Sequence, residues 1–244
     1  MTTSLNTSIW DGTEALLFDL DGVLTPTALA HEQAWRTLFE DVLAVEGVGP
    51  EYTDADYYAH IDGRPRYDGV REFLASRGLT LPEGQDDDAP TERTVRGLGN
   101  LKNRLFAQII EDGIEPYPGS SRFVAAARER GVKLAVVSSS RNAPAVLEAA
   151  GMADLFPIVV DGNVAAREGL PGKPHPATFL RAAELLGVDP AAATVVEDAV
   201  SGVEAGAAGG FRAVIGVDRG AGEDVLRSAG ATLVVSDLDE LLPA

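Results

Sequence analysis

Asp19 and Asp21 lie two residues apart, directly after the short apolar run Ala-Leu-Leu-Phe at 15–18, and are followed by Gly22, Thr25 and Thr27. Further polar groups follow later apolar runs or sit in the loops beside them. They are Ser138, Ser139 and Ser140, then Lys173 within Gly-Lys-Pro-His-Pro, then Glu197 and Asp198. Four carboxylates brought together without a cation would raise one another's pKa values, so their convergence implies a bound metal. Oxygen donors alone favour magnesium, which takes one or two carboxylates plus substrate phosphate oxygens. Lys173 and the Ser138 hydroxyl then suit the other oxygens of a phosphoryl group. This is equipment for phosphoryl transfer. With no cysteine in the chain, a carboxylate is the available nucleophile, and Asp19 at the strand tip is the better placed of the pair. In extended chain the Asp21 side chain points elsewhere, which suits it to act as acid to the leaving oxygen and base to the next acceptor.

Such residues must be carried on strand ends. Apolar, β-branched runs recur at 133–137, 158–160, 194–196, 213–217 and 232–235, mostly separated by helical patterns at 121–130, 143–150, 177–186, 200–208 and 223–228. This alternation predicts an α/β fold, a Rossmann-like parallel sheet with right-handed crossovers, whose ligands bind beyond the carboxyl ends of the strands. About ninety residues before Tyr117 break the alternation and read as helical. They are expected to form an inserted α-helical cap over 29–112, with helices at 31–45, 66–76 and 91–111 and a solvated acidic loop at 84–90. The core is then discontinuous, 1–28 and 113–244.

Composition narrows the function. The 244 residues carry 20 Lys and Arg against 38 Asp and Glu, a formal charge of −18, which excludes a generic nucleic-acid binder. Absence of cysteine removes disulfides and thiolate metal sites, and His31, His60 and His175 lack zinc-site spacing. No apolar run approaches the roughly 20 residues that span a bilayer, and the first residues lack a secretory pattern, so a cytoplasmic protein without membrane association is expected. The glycines at 202, 206, 209 and 210 do not follow a dinucleotide fingerprint. Only Lys102, Lys133 and Lys173 among the cations are lysines. Lys133 reads as decoration at a strand edge, and His175 is given no role.

Taken jointly and in this order, Asp-Leu-Asp-Gly-Val at 19–23, Ser138, Lys173 and Glu197-Asp198 resemble the four motifs of the haloacid dehalogenase superfamily, in its phosphatase and phosphomutase branch, over essentially the whole chain. The resemblance implies an aspartyl-phosphate on Asp19, acid–base catalysis by Asp21, and magnesium held by Asp19, the Asp21 carbonyl, Glu197 and Asp198. Within the superfamily the chain is most similar to the β-phosphoglucomutase group. His31 and Trp35 fall at that group's spacing from the first motif, and Ser138 to Pro144 matches its Ser-x-Ser-Lys-Asn-x-Pro segment with Arg141 in place of lysine. Gly63 and Arg66 match its Gly-x-x-Arg, and Lys102-Asn103 its Lys-Asn pair. The implied substrate-binding set is His31, Trp35, Gly63, Arg64, Arg66, Lys102, Ser140, Arg141 and Asn142, with Arg66 on the non-reacting phosphate and Lys102 closing the cap. Pro26 and Asp62 depart from the pattern, standing where an acidic residue and a cap lysine are usual.

The expected activity is therefore magnesium-dependent phosphoryl transfer, as a sugar phosphomutase interconverting β-glucose 1-phosphate and glucose 6-phosphate. A sugar-phosphate phosphatase using the same residues is the alternative, and a non-catalytic binding protein on this fold is a third reading. A monomer acting on a small sugar phosphate is expected, rather than an obligate oligomer.

Overall fold

A computed structural model of the chain describes residues 9–61, 64–111 and 113–243. In chain order these form β1 (Ala15–Phe18), helices α1 (Thr27–Glu46), α2 (Asp54–His60), α3 (Arg66–Ser76), α4 (Val95–Ile110) and α5 (Pro118–Glu129), and β2 (Lys133–Val137). There follow α6 (Ala143–Ala149), β3 (Ile158–Val160), α7 (Gly162–Glu168), α8 (Ala177–Leu186), β4 (Ala193–Glu197), α9 (Val200–Ala208), β5 (Ala213–Val217), α10 (Glu223–Ala229) and β6 (Leu233–Val235). The chain divides into two compact units, one of Met1–Thr27 with Ile114–Ala244 and one of Ala28–Gly113.

In the first unit the six strands pair in parallel in the order β3-β2-β1-β4-β5-β6. Their continuous apolar runs follow from burial on both faces. Ala15 and Leu17 belong to a core shared with Phe179, Val203 and Leu226 of α8, α9 and α10. Phe18 faces the other way and packs edge-on against Phe123 of α5 and Phe156. The strand order reverses between β1 and β4, which is where an open α/β sheet leaves a crevice for ligand. Phe18 lies level with Val136 of β2 and Val196 of β4, so the residues that follow these strands emerge side by side.

Among the described residues the regular elements of the second unit are all helices. Its core contains Trp35, Phe39, Tyr52, Phe73 and Leu98, with Phe39 stacked on Phe73 at a centroid distance of 3.9 Å. Helix α4 begins at Val95 rather than near residue 91, because Thr94 caps it by accepting from the Gly97 amide at 2.9 Å. Two helices went unforeseen. Helix α2 starts with a capping box in which the Thr53 amide and hydroxyl both reach Asp56, and α7 is capped by Asp161 and closed by Gly169 in the left-handed region. Both are short, so hydrophobic periodicity had too few turns in which to appear.

Two smaller readings change. β2 is an interior strand, and Lys133 at its start donates to the Leu186 carbonyl at 2.8 Å, capping the end of α8. The acidic loop at 84–90 is largely exposed but tied down, since the Asn100 amide donates to the carbonyls of Asp86 and Asp88. No helix among the described residues is long and apolar enough to cross a membrane.

Candidate active site

Asp19 is the first residue after β1, and its amide continues the ladder to the Val196 carbonyl at 2.9 Å. Its carboxylate accepts from the Lys173 ammonium at 2.5 Å. Lys173 also donates to Glu197 Oε1 at 2.6 Å and to the Val137 carbonyl at 3.0 Å, so it joins the tips of β1, β2 and β4. The other Glu197 oxygen accepts from the amides of Asp198 and Ala199, each at 2.9 Å. A Cβ on Gly202 would lie 1.7 Å from Glu197 Oε1, so only glycine leaves the room this carboxylate occupies. Both Glu197 oxygens are therefore engaged within the protein.

Asp21 is held in different surroundings. One of its oxygens accepts from the Thr27 hydroxyl, and the other lies 3.4 Å from the Ser138 hydroxyl. Ser138 stands at the tip of β2, its amide donating to the Val160 carbonyl at 3.1 Å. Its hydroxyl accepts from the Ser140 amide at 3.0 Å, and the Ser140 hydroxyl accepts from the Asn142 amide at 3.1 Å. These serines thus shape the turn into α6 while Ser138 also faces the carboxylates. The Arg141 side chain is exposed.

Four carboxylates stand at these strand ends beside one lysine, and the imbalance registers in the protonation of Asp19 and Asp198. Burial raises the Asp19 pKa to about 7, with Glu197 and Asp21 adding to the rise and Lys173 opposing it. Asp198 is likewise raised well above the usual carboxylate range by burial, then by Glu197 and Asp19. Burial works against charge on Lys173, yet Asp19 and Glu197 hold its pKa above that of an ordinary lysine. Carboxylates crowded in this way suit a neighbouring cation. Among the described residues no group of three or more His, Asp or Glu side chains is gathered tightly enough to hold one. With Glu197 committed to Lys173, the donors left for a cation are the Asp19 and Asp198 carboxylates and backbone carbonyls. That set suits magnesium, which needs only one or two carboxylates beside waters and phosphate oxygens.

Within the second unit Lys102 is 3% exposed. Its ammonium contacts His31 Nδ1 and lies 5.3 Å from the Trp35 ring and 4.8 Å from that of Phe106. The His31 ring stacks on Phe106 at 3.9 Å. Burial, then the charges of Lys102 and Arg66, keep the His31 pKa well below 6.5, so the ring is neutral and its Nδ1 accepts from Lys102. Arg66, at the start of α3, donates to Asn103 Oδ1 on α4 at 3.0 Å. Arg64 is exposed, and Gly63 and Asp62 lie outside the described residues.

Known proteins share both the sequence and the fold. A profile of the haloacid dehalogenase-like hydrolases matches residues 13–210. The chain belongs to that family. It is 47% identical to a β-phosphoglucomutase of Mycobacterium bovis over 93% of its own length and 91% of the relative's. A β-phosphoglucomutase of Bacillus subtilis is 32% identical over 93% and 91% of the two chains. The crystal structure of β-phosphoglucomutase from Clostridium difficile superposes with a TM-score of 0.75 at 28% identity, covering 94% of this chain and 93% of that one. The chain is therefore an enzyme, a haloacid dehalogenase-family phosphotransferase of the phosphomutase or phosphatase kind.

In this haloacid dehalogenase-like enzyme the loop after β2 has supports that sequence reasoning missed. Asp161 accepts from the amides of Asn163 and Val164, and the Asn163 side chain reaches back to the Arg141 carbonyl at 2.9 Å. A Cβ on Gly162 would come within 2.7 Å of the Ser139 carbonyl. The signal was an Asp-Gly-Asn triplet closing an apolar run, which reads as an ordinary turn until a helix is recognised behind it.

Proposed function

We propose that this chain is a magnesium-dependent sugar phosphomutase that interconverts β-glucose 1-phosphate and glucose 6-phosphate through an aspartyl-phosphate on Asp19. The observation that carries the reading is the division between the two aspartates. Asp19 is bound to a buried lysine, whereas Asp21 rests on hydroxyls that exchange easily. A group held by a fixed cation suits a nucleophile, and one held by hydroxyls suits a proton carrier.

In the first half-reaction an Asp19 oxygen attacks the C1 phosphorus of β-glucose 1,6-bisphosphate, the bond from phosphorus to the C1 oxygen breaks, Asp21 gives its proton to that oxygen, and glucose 6-phosphate departs. In the second, Asp21 takes the proton from the C6 hydroxyl of β-glucose 1-phosphate, whose oxygen attacks the phosphorus on Asp19, which restores the free carboxylate and regenerates the bisphosphate. Lys173 and the Ser138 hydroxyl bear on the charge of the transferring group. Magnesium, held by Asp19, Asp198 and the Asp21 carbonyl, would supply further charge neutralisation there. Arg66 supplies the cation for the non-reacting phosphate, a reading supported by the identity to the mycobacterial β-phosphoglucomutase.

The test is incubation with magnesium, β-glucose 1-phosphate and a trace of glucose 1,6-bisphosphate, following glucose 6-phosphate and free phosphate in parallel. Isomerisation with little phosphate release is expected. Phosphate release without isomerisation would replace the mutase by a phosphatase using the same residues.

A further inference from the structure

Arg219 follows β5 and belongs to none of the motifs, yet several supports of the first-motif turn meet on it. Its Nε donates to the Gly22 carbonyl at 2.9 Å and its Nη1 to the Ser236 carbonyl at 3.1 Å. Asp237 lies 3.7 Å from Nη1, and the guanidinium is stacked 3.8 Å from the centre of the Tyr117 ring. Its side chain is only 22% exposed. Three successive carbonyls of the turn are thereby held from outside, Gly22 by Arg219, Val23 by the Ser120 hydroxyl at 2.6 Å, and Leu24 by the Tyr117 amide at 2.9 Å.

Gly22 is the residue where this support bears on chemistry. Its φ is +88°, and its amide donates to the Thr25 carbonyl at 2.8 Å. The peptide that contains the Asp21 carbonyl is thus pinned on one side of Gly22, and Arg219 pins the peptide on the other. A Cβ on Gly22 would stand 1.9 Å from Asp198 Oδ2, so Asp198 lies directly against this residue. Displacing the peptide after Gly22 moves the Gly22 Cα, the atom to which the peptide bearing the Asp21 carbonyl is joined and against which Asp198 lies.

We infer that Arg219 is a positioning residue for magnesium, acting through the Gly22 carbonyl to fix the Asp21 carbonyl and the Asp198 carboxylate. The inference rests on the proposed function for the metal itself. A lysine can replace one hydrogen bond of Arg219 but neither its fork nor its planar stacking, so it should restore part of the effect.

The experiment compares wild type with Arg219→Met and Arg219→Lys in two measurements. One is calorimetric titration of the substrate-free protein with magnesium chloride, and the other is turnover as a function of magnesium. Arg219→Met is expected to bind magnesium about tenfold more weakly, the usual scale for losing a group that orients a metal ligand. Its turnover at saturating magnesium should fall much less, and Arg219→Lys should lie between the two. Wild-type magnesium affinity in Arg219→Met overturns the inference, whether or not the variant's thermal midpoint drops. Tyr117→Leu removes the stacking partner and leaves the arginine in place, so it provides a milder variant should Arg219→Met fail to fold. An unshifted magnesium titration there overturns the inference as well. Wild-type protein that neither binds magnesium nor needs it would remove the inference along with the metal-dependent reading, and is recognised before any variant is made.

Discussion

Lys173 in the sheet unit and Lys102 in the helical unit are both buried, but they are surrounded by different chemistry. Lys173 is bonded to two carboxylates and a carbonyl at strand tips whose positions follow from the sheet register. Lys102 sits among the rings of Trp35, Phe106 and His31, which the helices bring together by side-chain packing. In the first setting charge is the architecture, so removing it damages chemistry and stability together. In the second, shape and charge are separable, because an apolar chain of the same length could still fill the space between rings.

The largest expected effect is on the charge-built side. Asp19→Asn should reduce turnover to background while lowering stability little or none, since Asp19 is already strained toward its neutral form by burial and by its acidic neighbours. Retained turnover would remove the covalent mechanism. Lys173→Met should also abolish turnover, and it should in addition lower unfolding free energy by about 3–5 kcal/mol, as expected when a buried ion pair loses one partner. Urea denaturation followed by circular dichroism measures this. A loss under about 1 kcal/mol would show that Asp19 and Glu197 are not left as stranded charges, contrary to their burial beside Lys173.

The two regions also differ in how plainly they could be read beforehand. The paired aspartates, Ser138, Lys173 and the Glu-Asp pair were legible because continuous apolar runs mark buried parallel strands, and polar residues after such runs have few places to go. Glu197 shows the limit. Its type and position suggested a metal ligand, but whether a carboxylate faces a metal or a lysine depends on a residue 24 positions earlier, Lys173. In the helical unit His31 and Trp35 stood out only by their spacing from the first motif. The structure stacks His31 on Phe106, 75 residues away, an encounter that the packing of α1 against α4 creates. Asn163 and Arg219 were invisible for the same reason, since both act on backbone carbonyls, which carry no sequence signature.

Lys102→Met probes the packed side at intermediate size. It should cost about 1 kcal/mol of stability, the scale of a cation over aromatic faces, while raising KM for the sugar phosphate more than it lowers kcat. A loss as large as that of Lys173→Met would erase the contrast between the two lysines.

The smallest effect concerns His31, which meets Lys102 on α4 and Arg66 on α3. Its folded-state pKa lies below the 6.5 of an unperturbed histidine, so the unfolded chain takes up a proton in a range where the folded chain does not. The stability contributed by keeping His31 neutral is complete above about pH 6.5 and is lost as pH falls from there toward the folded-state value. His31→Gln cannot take up that proton. Between pH 7.5 and 5.5 the thermal midpoint of the wild type should therefore fall further than that of His31→Gln, with carboxylate titrations common to both cancelling in the comparison. Equal falls would mean that the ring accepts a proton in the folded state, and that the stacked, lysine-bonded arrangement gives way at little cost.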